Sequence, residues 1–193
     1  QAGISDPTGM LGSKLELDMH VVHGVTTRLQ NPVRVVKGLN LEVEELVFSG
    51  LASSLALLDN EQKQMGVLVV DFGAGTTEYV VYADSVPKHT GVIAVGGDHV
   101  TNDLSHGLRR VSLPMAERLK REYGAATVEG AAGQTITLRN ENGLEDRRVN
   151  LEHLRRIMIA RLDETLQLID DDIGEKGFHD QLRAGVCLCG GGV

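Results

Sequence analysis

Val67-Leu68-Val69-Val70-Asp71-Phe72-Gly73-Ala74-Gly75-Thr76-Thr77 is the stretch on which the fold turns. Its unbroken apolar start, entered from Gly66, reads as a strand buried on both faces. The strand delivers Asp71 to its end, and a turn of Gly, Ala and Thr follows. Glycine permits positive φ and leaves no Cβ in the way of an approaching anion. Successive N–H groups of such a turn converge on one concavity that suits phosphate. Thr76 and Thr77 add hydroxyl donors. Asp71 stands where it would take a magnesium ion beside the phosphates, through water, because magnesium keeps its hydration. A dinucleotide fingerprint needs a third glycine and a helix, whereas Glu78 and a second strand follow here. A Walker loop needs Gly-Lys-Ser/Thr, which is absent. A plain glycine hairpin with no ligand is the remaining alternative.

Working outward, residues 78–82 form a second strand, Asp84-Ser85 a hairpin turn and residues 86–95 a third strand, together a meander. Gly96-Gly97 ends it. Asp98 reads as the N-cap of a helix to about Leu108, a role compatible with a place beside a nucleotide. Ser112 and Pro114 open another helix, with Met115, Leu119 and Tyr123 along it and Gly124 as its stop. On it, Glu117 and Lys120 are three apart, the spacing of an exposed helix pair. Thr135–Leu138 is a strand, and Asn142-Gly143 a hairpin signal. Residues 151–173 form the longest helix, with Leu151, Leu154, Met158, Leu162, Leu166, Ile169 and Ile173 on one stripe. Asp170-Asp171-Asp172 is its solvated end, the spacing being wrong for a calcium loop. Val186–Cys189 is a final buried strand, running straight into Gly190-Gly191-Gly192, either a loop or a binding turn. Toward the N-terminus, residues 1–13 are turn-rich. Residues 15–22 alternate as a half-buried strand. Residues 25–38 form an amphipathic helix containing Pro32, residues 46–48 a short strand, and Ser49-Gly50 opens a helix through Leu58.

The composition narrows the class. A length of 193 residues suits one large domain or two small ones. Aromatics are only 3% and Trp is absent, so Val, Leu, Ile and Ala must build the core. A net charge of −8 repels a phosphate backbone and disfavours nucleic acid, yet a nest of amides still holds a nucleotide. Cys187 and Cys189 are too few for a structural zinc site and read as small buried residues. His20 and His23 lack a third ligand nearby. No apolar run reaches the ~18 residues that a membrane span needs, and no signal-peptide pattern is present.

The order of these motifs resembles the actin-type ATPase fold. That fold sets a strand–Asp–glycine hairpin at the phosphates, a helix with acidic and basic residues near the ribose, and a strand ending in a glycine turn beside the adenosine. The resemblance sharpens to the FtsA cell-division family in Gly50-Leu51-Ala52-Ser53-Ser54, in Gly66 to Thr77, and in Val92-Ile93 with Gly97 and Val100-Thr101-Asn102-Asp103. It extends through Ala116-Glu117-Arg118-Leu119-Lys120 with Tyr123-Gly124, and Leu188-Cys189-Gly190-Gly191-Gly192. It covers nearly the whole chain, most weakly at 126–150.

The resemblance implies an α/β, actin-like ATPase (ribonuclease H-like) fold: a mixed sheet with flanking helices plus a smaller α+β subdomain. Residues 1–65 would be the remnant of the first lobe and the FtsA-type small subdomain. Residues 66–111 and 184–193 would form the nucleotide-binding sheet, and residues 112–183 a smaller inserted subdomain. It implies ATP and Mg2+ as cofactors. They would be held by Asp71, Gly73, Ala74, Gly75, Thr76, Thr77, Gly96, Gly97, Asp98, Glu117, Lys120, Gly190, Gly191 and Gly192, with Asp71 on the metal. The implied partners are the tubulin-like division protein, further copies in filaments and other divisome proteins. The implied location is cytoplasmic, at the inner face of the membrane at the division site, with membrane contact only through a C-terminal segment outside this chain. A type IV pilus assembly protein of the same fold, and a kinase or chaperone fragment, are the alternatives. A fragment lacking the first lobe's phosphate hairpin is expected to turn over no ATP alone.

Overall fold

The computed structural model describes residue 4 and residues 7–139 and 145–192. In chain order the helices are α1 (Thr26–Gly38), α2 (Ser49–Leu57), α3 (Asn60–Met65), α4 (Gly97–Gly107), α5 (Leu113–Tyr123) and α6 (Leu151–Glu175). The strands are β1 (Val67–Phe72), β2 (Thr77–Ala83), β3 (Val86–Ile93), β4 (Thr135–Arg139), β5 (Glu145–Asn150) and β6 (Val186–Cys189).

The main sheet has the order β3-β2-β1-β6, and β4-β5 is a separate ladder. β1 and β2 run antiparallel, with Val69 opposite Val80 and Asp71 opposite Glu78. β6 lies parallel to β1, with Cys189 opposite Asp71. Asp84 and Ser85 both take left-handed φ (53° and 66°). That backbone twist joins two antiparallel strands through a two-residue turn.

Side chains alternate across the sheet, and each face has its own cover. Val67, Val69, Val80 and Tyr82 pack with Phe48, Leu51 and Leu58 around α2. Leu68, Val70, Tyr79 and Val81 pack against Ile169 and Ile173 of α6. Val69 and Val80 are wholly buried, each such side chain contributing about 1.5–3 kcal/mol. The first half of α6, with Leu151, Leu154 and Met158, joins Val100 and Leu104 of α4, Ala116 and Leu119 of α5, and Ile136, Leu138 and Val149 of the β4-β5 ladder. One helix therefore serves two cores, as its long apolar stripe requires.

Several expectations are corrected. Residues 15–22 form no strand, and Leu15, Leu17, Met19 and Val21 are exposed. An alternating pattern supplies one face of a strand, but a strand also needs backbone pairing; here the segment reaches β3 through the His20 ring and the Thr90 hydroxyl, 3.0 Å apart, with no backbone ladder among the described residues. Residues 46–48 are not a strand either; Phe48 is the N-cap of α2. α3 was not foreseen. It is closed by a capping box in which the Asp59 side chain accepts from the Gln62 amide and the Gln62 side chain accepts from the Asp59 amide. β6 is an edge strand, with Val186 and Leu188 exposed and Cys187 and Cys189 half-buried. Asn142-Gly143 lies outside the described residues. No helix among the described residues is long and apolar enough to cross a membrane.

A polar clasp locks α6 onto the sheet. Asp172 Oδ2 accepts from the Tyr79 hydroxyl and bonds His89 Nε2, both at 2.6 Å. His89 also stacks on Phe178, with centroids 5.8 Å apart. Gly91 makes room for Tyr79, since a Cβ there would lie 2.0 Å from its ring. Burial, then the hydrogen bond to Asp172, pushes the Tyr79 pKa up, so the phenol stays a donor. Burial acts to raise the Asp172 pKa, but the bonds from Tyr79 and His89 outweigh it and the net shift is downward. Folding therefore favours the ionised carboxylate. Its contribution is complete above the ordinary Asp range near pH ~4 and is lost as pH falls through the lowered folded value. Asp172→Ala should lower stability by about 1–3 kcal/mol at neutral pH. Urea unfolding of both proteins should show the gap narrowing below pH ~4; a gap independent of pH would contradict the clasp.

Candidate functional site

The end of β1 gathers the glycine-rich stretches. Three successive carbonyls do this. Phe72 O accepts from the Gly192 amide (2.9 Å), Gly73 O from Gly97 (2.9 Å) and Ala74 O from Asp98 (2.8 Å). The first amides of α4, which a helix leaves without internal partners, are thus satisfied by the β1–β2 turn. Asp98 is not the N-cap. Gly96 is, and Asp98 follows exposed in the first turn of the helix, where its charge suits the helix dipole. No side-chain cap is needed because the turn's carbonyls take that role.

The same carbonyls dictate glycine. A Cβ on Gly96 would sit 2.5 Å from Ala74 O and 2.6 Å from Gly73 O. On Gly190, where φ is +100°, it would meet Phe72 O at 2.5 Å and Asp71 Oδ1 at 2.7 Å. On Gly192 it would strike the Phe72 ring at 2.2 Å. Gly191 has open space and no positive φ. In the hairpin itself neither Gly73 nor Gly75 takes positive φ, which corrects the conformational reason expected for them. Gly73 is required because a Cβ would meet Thr76 O at 2.8 Å, whereas nothing crowds Gly75.

The turn closes through the Gly73 amide on Thr76 O at 3.0 Å. Ala74, Gly75 and Thr76 are exposed at its tip, and the amides of Ala74 and Gly75 bond no backbone carbonyl among the described residues. Thr77 differs from expectation. It is wholly buried and its hydroxyl donates to Val95 O at 2.7 Å, so it fastens the hairpin and offers no open donor.

Glu117 and Lys120 form more than an exposed pair. The Lys120 ammonium bonds Gly97 O (3.0 Å), Thr101 Oγ1 (2.9 Å) and Glu117 Oε2 (2.7 Å), filling its three N–H groups. The Thr101 hydroxyl donates to Glu117 Oε2 at 2.5 Å. The Lys120 bond, then the Thr101 bond, holds the Glu117 carboxyl below its ordinary pKa. Through Gly97 this clasp reaches Gly73, so α5, α4 and the hairpin are one connected unit.

Asp71 is half-buried. Its Oδ2 accepts from the Ser53 hydroxyl of α2 at 2.6 Å, and its strand neighbour Glu78 is also acidic. No Lys or Arg pairs with Asp71 among the described ion pairs. Two adjacent carboxylates without a cation fit a nearby positive ion, though among the described residues no group of three or more His, Cys, Asp or Glu gathers to hold a metal. Cys189 stands beside Asp71, and burial, then the Asp71 charge, raises its thiol pKa. Ser53 and Glu78 were missed in the sequence. The two-residue period of β2 does place Glu78 on the face of Asp71, but Ser53 carries no local signal. A groove of about 580 Å³ between α6 and the β6 edge, lined by Leu68, Val70, Leu166, Ile169, Ile173 and Leu182 among others, lies on the opposite face and has none of these groups.

The architecture recurs in solved structures. MreB5 of Spiroplasma citri bound to ADP superposes with a TM-score of 0.70 at 21% identity, over 88% of this chain and 55% of that one. The PilM–PilN type IV pilus biogenesis complex matches at 0.60 and 18% identity, over 85% and 40%. The fold is that of the actin-like ATPases. The sequence matches the family described as Cell division protein FtsA over residues 68–191. FtsA of Pseudomonas aeruginosa is 34% identical over 99% of this chain and 46% of its own length. FtsA of Agrobacterium fabrum is 38% identical over 99% and 44%. The chain belongs to the FtsA family and spans a little under half the length of these relatives.

The crowding around Phe72 O makes a sharp test. Gly190→Ala should cost about 2 kcal/mol or more, from a strained φ and the clash. Gly191→Ala, one residue on, should stay within about 0.5 kcal/mol. Denaturant unfolding of both variants decides it; equal effects would contradict the arrangement.

Proposed function

We propose that this chain is the nucleotide-binding part of an ATP-binding, actin-like scaffold of bacterial cell division, linking the tubulin-like division ring to the membrane. The observation that carries the reading is the exposed hairpin tip at Ala74–Thr76, where the Ala74 and Gly75 amides bond no backbone carbonyl among the described residues, at the end of the strand that carries Asp71. Unpaired amides at a tight turn attract anionic oxygens, and Asp71 supplies the neighbouring carboxylate.

In this reading Gly73, Ala74, Gly75 and Thr76 cradle the phosphates, with Thr77 holding the cradle from inside. Gly96, Gly97 and Asp98 back it. Asp71 holds Mg2+ through water, its Oδ1 free while Oδ2 rests on Ser53. Bound magnesium supplies charge neutralisation at the phosphates. Glu117 has Oε2 fixed by Lys120 and Thr101, which leaves Oε1 for a ribose hydroxyl. Gly190, Gly191 and Gly192 form the wall beside the adenosine, and only small residues allow the base to lie close to the end of β1. Relatives of the same fold were solved with ADP and with AMPPNP, which supports ATP as the ligand. Self-association into filaments and contacts with other division proteins complete the proposal. A location at the inner face of the membrane would depend on a segment outside these residues. The pilus-assembly alternative has a likeness of fold at 18% identity, against 34–38% for the FtsA relatives.

In the full-length protein Asp71→Ala should weaken Mg–ATP binding about tenfold or more, the loss of a charge-assisted contact. Isothermal titration measures it; unchanged affinity would remove Asp71 from the site.

A further inference from the structure

We propose that Ser53 is the positioning residue for Asp71, and that Glu78 seats the helix carrying it, so that α2 decides which oxygen of Asp71 meets the ligand. The inference rests on the ATP-binding reading above and extends it to a helix that carries none of the residues placed at the ligand there.

Asp71 and Glu78 face each other across β1 and β2 on one side of the sheet. Like charges directly opposite on neighbouring strands repel, and both carboxylates turn to α2 for donors. Ser53 Oγ donates to Asp71 Oδ2 at 2.6 Å. Ser49 Oγ and the Gly50 amide donate to Glu78 Oε2 at 2.7 and 2.9 Å. Positions 49 and 53 are one helical turn apart and share a face. A carboxylate at the first turn of a helix also suits its dipole. Glu78 therefore fixes the start of α2, and Asp71 meets it one turn later.

Two neighbours make the seat rigid. Ser54 is wholly buried, donating to Leu51 O at 2.6 Å and lying 3.0 Å from the Tyr82 hydroxyl. Gly50 lies close on β2, where a Cβ would be 3.2 Å from Val80 Cγ2. The helix can neither turn nor lift without breaking these contacts. With Oδ2 held, Asp71 Oδ1 is directed toward the Gly190 turn, 2.7 Å from where a Cβ would stand. A carboxylate held in one orientation before binding loses less freedom when its ligand arrives. Without Ser53 it would rotate and share its oxygens with water.

The test is nucleotide titration of the full-length protein with magnesium and again with EDTA. Ser53→Ala should weaken Mg–ATP binding about five- to tenfold. It should leave ATP binding in EDTA within about twofold, because only the metal-facing carboxylate is disturbed. Ser53→Thr keeps the hydroxyl and should restore affinity to within about threefold of wild type. Unchanged Mg–ATP affinity in Ser53→Ala would overturn the inference. So would an equal loss with and without magnesium, which would mark a merely structural serine. A wild-type protein that binds no ATP at all is a separate result, and it would remove the proposed function together with this extension.

Discussion

Three carbonyls in a row, of Phe72, Gly73 and Ala74, hold the glycine-rich end of the main sheet together. A strand that enters a hairpin turns its last carbonyls out of the ladder, and buried carbonyls must find donors. Here the donors are the amides of Gly192, Gly97 and Asp98. A glycine turn and a helix start are thereby drawn against the same strand end, from more than ninety residues apart in the chain. Steric exclusion follows from the same geometry. The glycines at 96, 190 and 192 are those whose side chains would collide with the strand end. Because the carbonyls point inward to these partners, the tip amides of Ala74 and Gly75 remain outside and open.

Around this point the polar groups form a connected shell. Lys120 ties α5 to α4 through Gly97 O, and Thr101 and Glu117 complete its bonds. On the other face Ser53 and Glu78 tie α2 to the strands. Below, Asp172 bolts α6 to Tyr79 and His89. Half-buried charges are costly when unpaired, and these have partners, though at both Asp71 and Glu78 the described partners are neutral donors.

Much of the fold was legible because it is written in local pattern. The apolar run of β1, the Asp84-Ser85 turn and the long stripe of α6 each specify an element from neighbouring residues alone. The strand expected at 15–22 failed because alternation defines a face without supplying the strand to pair with. Asp98 was misplaced as a cap because side-chain capping preferences ignore carbonyls arriving from elsewhere in the chain. Thr77 looked like a ligand donor, yet its place in β2 turns it toward Val95 O. Ser53 was invisible in that role because its partner is eighteen residues away. Candidate residues could be grouped by motif, while the direction of each side chain needed the tertiary structure.

The central claim is that the hairpin tip and the glycine turn together receive the nucleotide. Amide hydrogen exchange of the full-length protein, with and without Mg–ATP, tests it most directly. ATP should slow exchange jointly at Ala74, Gly75 and Thr76 and at Gly191, the neighbour of the already bonded Gly192 amide. Meanwhile the already bonded amides of Gly97 and Asp98 should change little. Nucleotide-dependent protection elsewhere in the chain, with both of these segments unaffected, would contradict it.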